Sequence, residues 1–435
     1  VEEGDGGMSK FKRYERYKDS GVEWIGEIPE HWEIKKIKYI SNITMGQSPK
    51  SEECSLDETG LPFLQGNAEF TSLHPIPKIY CNTANKFSKV NDILLSVRAP
   101  VGAMNISDRV YGIGRGLCAI TANKVQVRYL WYSMNVSLEE LFIKSKGSTF
   151  EAVTVTDVNN LLSILPPKNE QIAIANFLDQ KTAEIDGLIA DKEKLIELLQ
   201  EKRQAIITEA VTKGLNPNVR MKDSGIEWIG EIPEHWNLRR IRYLANIRNV
   251  KASDSDIDKT YVGLENIESK TGKLLTNGDD EQQFVGETAN IFKKGDVLFG
   301  KLRPYLAKCI IADFDGRCTS ELLVLKTTSY ILPKYLHFFM LSPKFIDVVN
   351  SSTYGAKMPR ASWDFIGNLE IPLPSIKEQE DIVEYLTEFI SRIDDLISDI
   401  NTQIQKLKEY RQSLISEAVT GKIDVREFGS ISEVI

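Results

Sequence analysis

The chain contains itself twice. Residues 18–32 read KDSGVEWIGEIPEHW and residues 222–236 read KDSGIEWIGEIPEHW, differing only at Val22 and Ile226, at an offset of 204. The likeness runs on loosely to Asn42-Ile43 and Asn246-Ile247. A second duplicated stretch follows each of these. Residues 165–215 open LPPKNEQIAIANFL and close RQAIITEAVTKGL; residues 373–423 open LPSIKEQEDIVEYL and close RQSLISEAVTGKI, at an offset of 208. Between the duplicated parts lie two long segments, about 44–164 and 248–372, that resemble each other only faintly. Self-similarity at a fixed spacing fixes a repeated architecture before any residue is considered singly. Drift would blur all parts alike, whereas here a frame is kept and its inserts diverge. That suits two equivalent docking surfaces coupled to two different readers; a fusion relic of purely structural meaning is the alternative.

The frame has helical periodicity. Leu178, Ile185, Leu188, Ile189, Ile196, Leu199, Ile206 and Ala210 recur at three- to four-residue steps, and Asn169-Glu170 supplies a start. Ile382, Leu386, Phe389, Ile393, Leu396, Ile397, Ile400, Ile404, Leu407, Leu414 and Ile415 repeat the pattern. Each stripe is too apolar to face water alone. Either the two helices pack on each other, antiparallel, or each packs on its own domain. The inserts read as mixed α/β domains. Asp92–Val97 and Asp296–Phe299 have strand composition, and Gly and Pro punctuate the segments around them. A faint shared skeleton runs from Asp92, Arg98, Pro100 and Gly114-Arg115 to Asp296, Arg303-Pro304 and Gly316-Arg317.

The expected fold class is therefore α+β: two mixed α/β domains joined and spaced by two long antiparallel helices, with an internal pseudo-twofold repeat. The boundaries follow. Residues 1–8 are read as a vector remnant, 9–164 and 216–372 as the two domains with their duplicated entry segments, 165–215 as the first helix, and 373–435 as the second helix and tail.

Composition narrows the function. The net charge of −8 argues against tight nucleic-acid binding by the whole surface, but the charge is uneven. Basic and acidic side chains balance at 11 each in 40–164 and 16 each in 244–370, while 371–435 holds 7 basic and 13 acidic. Two balanced segments can carry local basic faces. Five cysteines, Cys54, Cys81, Cys118, Cys309 and Cys318, are an odd number without a CxxC pair, which argues against a disulfide framework or a zinc site and fits a reducing cytoplasm. No apolar run has the roughly 18–20 residues of a membrane span. No phosphate loop, methyltransferase motif, glycine-rich cofactor turn or HExxH is present, so no catalytic residue is assigned and no metal site is expected.

The twice-occurring GxEWIGEIPEHW block, the twice-occurring [NK]EQ helix start, the twice-occurring EAVT helix end and the run GAKMPRASWDFIGNLEIPLP at 355–374 resemble the specificity subunits of type I restriction–modification enzymes. The resemblance covers nearly all of 9–425. It implies two target-recognition domains, each reading one half of a split, asymmetric site in double-stranded DNA. It implies docking of two methyltransferase subunits on the duplicated parts, with motor-nuclease subunits joining through them. S-adenosylmethionine, ATP and magnesium would belong to those partners, with no cofactor on this chain. A protein scaffold that does not read DNA is the second reading.

Side-chain chemistry selects candidate readers. Arg and Lys donate to guanine, and Asn and Gln bond adenine in the major groove. In the first domain these are Gln47, Ser48, Lys50, Gln65, Asn67, Arg98, Arg115 and Thr149; in the second, Lys301, Arg303, Tyr305, Arg317, Lys357 and Arg360. For each, a solvated face or an internal ion pair is the competing reading. Trp24, Trp32, Trp228 and Trp236 lie in the block kept alike in both halves. Base reading does not need that likeness, but binding two copies of one partner does. They are the candidate partner-binding residues, with a purely structural locking role as the alternative.

Overall fold

The computed structural model describes residues 11–49, 53–58, 60–144, 153–275, 289–353 and 358–428. The chain divides into two compact units: 1–190 with 403–435, and 191–402. Two long helices dominate, Lys168–Lys213 and Ile376–Thr420, and each contributes residues to both units.

In unit one, Ser41–Met45, Leu117–Ala122, Ile93–Ser96 and Met104–Ile106 form a four-stranded sheet in that order. A second sheet runs Gly112–Ile113, Leu61–Leu64, Ile79–Cys81, Cys54–Ser55. Unit two has the same first sheet, ordered Ala245–Ile247, Leu322–Thr327, Val297–Gly300, Cys309–Ile311. Its second sheet has three strands, Tyr261–Val262, Gly316–Cys318 and Asn290–Phe292. The predicted strands at 92–97 and 296–299 appear as Ile93–Ser96 and Val297–Gly300, wholly buried. The aspartates before them close matched turns: Lys89 N donates to Asp92 Oδ2 at 2.7 Å, and Lys293 N to Asp296 Oδ2 at 2.8 Å.

The helices run antiparallel within each unit. In unit one Ile174, Phe177, Leu178 and Ile185 share a core with Leu414, Ile415, Ala418 and Val419. In unit two Ile207, Ala210 and Val211 share a core with Ile382 and Leu386. Each unit is thus closed by the beginning of one long helix and the end of the other. Not every residue of the predicted stripes is inside. Leu188 and Leu396, counterparts at the offset of 208, are 51% and 49% exposed.

One expectation from the cysteines is overturned. Cys54 and Cys81 form a disulfide. They are antiparallel partners on neighbouring strands, Cα atoms 4.4 Å apart, a closeness that counting along the sequence does not reveal. Cys118, Cys309 and Cys318 are free and buried.

Candidate nucleic-acid interface

The duplicated motifs prove to be one joint made twice. The glutamate of each EQ pair enters the first turn of a long helix. Glu170 accepts from Trp32 Nε1 at 2.9 Å and Tyr14 Oη at 3.1 Å, and its other oxygen lies 2.7 Å from His31 Nε2. Glu378 accepts from Trp236 Nε1 at 3.1 Å and lies 2.7 Å from His235 Nε2. Ser375 closes a reciprocal cap with Glu378, which Pro167 at the matching place in the first helix cannot provide. Burial opposes ionisation of Glu378, but the hydrogen bonds from His235, Trp236 and Ser375 outweigh it and hold its pKa down at about 2.

The glutamines work on the entering helices. Gln171 accepts from Gln126 N and donates to Pro166 O; Gln379 accepts from Leu332 N and donates to Pro374 O, all at 2.8–3.1 Å. The repeated EAVT ends meet the tryptophans. Gly421, left-handed at φ 73°, leaves a built Cβ 2.9 Å from the Trp32 ring, and Gly214 at φ 75° leaves 3.1 Å to Trp236. A side chain at either glycine would meet both a strained backbone and an indole.

This geometry corrects two partner-binding candidates. Trp32 and Trp236 are 0% and 1% exposed, with their indole N–H groups engaged, so they are joint residues and present no surface to a partner. Trp24 and Trp228 are half-buried. His31 and His235 belong to the same joints.

In unit one the chain brings several candidate readers together. Gly46 lies so close to Gly114 that a Cβ would fall 2.1 Å from its carbonyl oxygen, and a Cβ on Gly114 would meet Gln65 Cα at 2.9 Å. These close approaches draw 46–48, 64–67 and 112–117 into one cluster. Ser48 Oγ accepts from Gln65 Nε2 at 2.8 Å and Arg115 N at 3.2 Å. Gln47, Gln65, Arg98 and Arg115 are exposed, and Asn67 is half-buried beside Gln65. Lys50 and Thr149 lie outside the described residues.

Backbone hydrogen bonds give the true correspondence with unit two. Gly114 N donates to Leu64 O and Leu117 N to Gly114 O; Thr319 N donates to Val262 O and Leu322 N to Thr319 O. Thr319 therefore matches Gly114, and Ser320 matches Arg115. The expected pairing of Gly114-Arg115 with Gly316-Arg317 is three residues out of register, because a Gly-Arg dipeptide recurs there without the same neighbours. Arg317 is corrected accordingly. It is 7% exposed, lies in the strand Gly316–Cys318, and its Nε donates to Lys259 O at 3.1 Å. It braces the sheet and is not an open reader.

Unit two gathers its other candidates at a different point. Val97 N donates to Gly116 O while Val153 N donates to Val97 O; Lys301 N donates to Glu321 O while Ala361 N donates to Lys301 O. Lys301 hence matches Val97, and the turn 302–307 matches 98–102. Arg303 and Tyr305 on it are exposed. Arg360 is held by Glu321 through paired bonds of 3.1 and 3.2 Å, the internal ion pair weighed as its competing reading. Lys357 lies outside the described residues. Glu321 and the joint glutamates and glutamines were not among the candidates, although the duplicated EQ signalled the latter.

Such surfaces can donate to anions and base edges. Burial pushes the Cys118 and Cys318 thiols up to about 12, which removes them as nucleophiles. Among the described residues no group of three or more His, Cys, Asp or Glu is placed to hold a metal, and no helix is long and apolar enough to cross a membrane.

Comparison with known proteins agrees with this architecture. The sequence profile of the type I restriction modification DNA specificity domain matches twice, at 29–198 and 233–406. The EcoDI specificity subunit of Escherichia coli is 24% identical over 417 residues, 92% of this chain and 90% of that one. The MjaVIII specificity subunit of Methanocaldococcus jannaschii is 25% identical over 432 residues, 92% and 94% respectively. A solved chain described under complex assembly and conformational transition of the type I R-M system superposes with a TM-score of 0.68 at 16% identity, covering 90% of this chain and 98% of that one, a likeness of fold. With both profile matches falling on the duplicated frame and its inserts, the chain belongs to the type I restriction–modification specificity family, whose members are recognition subunits and not catalytic ones.

Proposed function

We propose that this chain reads a bipartite, asymmetric sequence in double-stranded DNA, one half-site per unit, and docks two methyltransferase subunits, with motor-nuclease subunits joining through them. One observation carries the reading: both joints repeat the tryptophan–glutamate, histidine–glutamate and glutamine–backbone bonds, while matching loop positions hold unlike side chains, Gln65 and Arg115 against Gly263 and Ser320. Two copies of one partner need the first; an asymmetric target needs the second.

Base and phosphate contacts fall to Gln47, Ser48, Gln65, Asn67, Arg98 and Arg115 in unit one and to Lys301, Arg303, Tyr305 and Arg360 in unit two, with Lys50, Thr149 and Lys357 retained on sequence grounds. Docking falls to Trp24 and Trp228 and to the exposed Leu188 and Leu396. The overall charge of −8 leaves the bulk of phosphate neutralisation to the partners. S-adenosylmethionine, ATP and magnesium act on those partners, in the cytoplasm.

The test replaces residues 44–164 with the corresponding segment of another specificity subunit and maps the methylated sites of the assembled complex. One half-site changes and the other stays. A change in both, or in neither, removes independent reading.

A further inference from the structure

Resting on the DNA reading above, we propose that Arg303 is a base-reading residue whose guanidinium takes the O6 and N7 edge of one guanine in the half-site of unit two.

The backbone is the first ground. Arg303 sits at φ 52°, ψ 63°, and Ala307 at φ 48°, ψ 46°, two of the four non-glycine residues with positive φ among those described. This left-handed region is disfavoured wherever a Cβ is present, and glycine would occupy it freely. Such a conformation persists only where its surroundings over-determine it, and it concentrates at functional points.

The surroundings do so here. Arg303 N donates to Pro359 O at 2.8 Å, Lys301 N to Glu321 O at 3.0 Å, and Ala361 N to Lys301 O at 2.9 Å. Within the turn, Leu306 N donates to Arg303 O and Ala307 N to Pro304 O. The Arg360–Glu321 pair locks the facing strand of chain and occupies the nearby carboxylate. Arg303 itself is exposed and makes no ion pair among the described residues.

A phosphate contact has no use for that rigidity, since a long basic side chain reaches a phosphate from any relaxed loop. Forked recognition of a base edge requires a fixed root and a free guanidinium, and Arg303 has both. The turns supply asymmetry. The matching turn of unit one, 98–102, is one residue shorter than 302–307 and has positive φ only at Gly102, so Arg98 lacks the left-handed root that Arg303 has. The turns of the two units therefore hold their arginines on different backbones.

The test selects from a random-sequence duplex pool with the full-length chain and its methyltransferase subunits, using wild type, Arg303→Lys and Arg303→Gly. Thermal melting and the salt dependence of affinity for unselected duplex are recorded beside it. Arg303→Lys keeps the charge and the salt slope, but preference for one G·C pair in one half-site falls by about ten- to a hundredfold. Arg303→Gly loses the same preference and melts no lower than wild type, because the strain is relieved. A wild-type base preference in either variant overturns the assignment and leaves the DNA reading intact. So does a uniform loss across all sequences with the salt slope reduced by about one, the mark of a phosphate contact. A wild type that selects no motif removes the DNA reading, and this inference with it.

Discussion

Arg203 bonds Asp394 at 3.1 Å in unit two, and its counterpart at the offset of 208, Arg411, bonds Asp186 at 2.9 Å in unit one. The two aspartates are themselves counterparts, so each repeat lends one partner to the other's pair. The pairs are equal in pattern and unequal in setting. Arg203 is buried and also donates to Thr271 O at 2.6 Å, whereas Asp186 is more than half exposed. Breaking a buried pair leaves a charge without a partner; breaking an exposed one changes little. Asp394→Ala should destabilise the chain by about 3 kcal/mol or more, and Asp186→Ala by about 1 kcal/mol or less. Urea denaturation followed by tryptophan fluorescence measures both; equal losses would show that the difference in burial is immaterial.

The joint tryptophans should report on folding before partner binding. Trp236→Phe keeps most of the buried area but strips Glu378 of one donor, at a cost of about 1–3 kcal/mol. Once folded, the variant should bind its methyltransferase subunits at wild-type stoichiometry in light scattering. Trp228→Ala should leave the fold largely intact and weaken one of two binding events. The opposite assignment of effects would return Trp236 to the docking surface.

His337 gives unit two an acid limit. Burial lowers its pKa to about 4, and its Nε2 lies 3.1 Å from Cys309 O. The unfolded chain titrates near 6.5, so between these values the unfolded state binds the extra proton. Stability is therefore full above pH about 6.5 and falls as pH drops toward 4, by on the order of 3 kcal/mol from this group. His337→Gln should flatten the dependence in that window. An unchanged slope would place the loss elsewhere.

A fragment ending near residue 215 should not be a stable monomer. It would carry Ile207, Ala210 and Val211, buried in unit two, with nothing to cover them. It would also lack Leu414, Ile415, Ala418 and Val419, which close unit one. Ile207, Ala210 and Val211 are the counterparts of Ile415, Ala418 and Val419 at the offset of 208, so a second copy supplies what the first lacks. Residues 9–215 should elute as a dimer by light scattering; a folded monomer would contradict the shared closure.

Much of this was legible because duplication marks what must be kept. The helix Lys168–Lys213, the strands after Asp92 and Asp296 and the outward Arg98 and Arg303 all followed from pattern. Three things did not follow. The partnership of Cys54 with Cys81 depends on strand register, which 27 residues of intervening chain conceal. Arg317 looked free because a Gly-Arg dipeptide suggested the wrong counterpart, and only hydrogen bonds reveal the shift. Trp32 and Trp236 looked like a partner surface because likeness between halves is equally required by a joint that is built twice.

The division of the long helices between units sets an order of events on the ribosome. Unit two is one continuous stretch, 191–402, and its parts have all emerged by the time its last helical residues leave the exit tunnel. Unit one needs chain from both sides of that stretch, so its first part, made before 191–402, waits for the part made after it. Tyr17, whose hydroxyl donates to Gly421 O at 2.9 Å, meets that acceptor only after all of 191–402 has been made. The unit whose synthesis begins first closes after the other, and the nascent chain must shelter an unfinished core while the unit between its two parts folds.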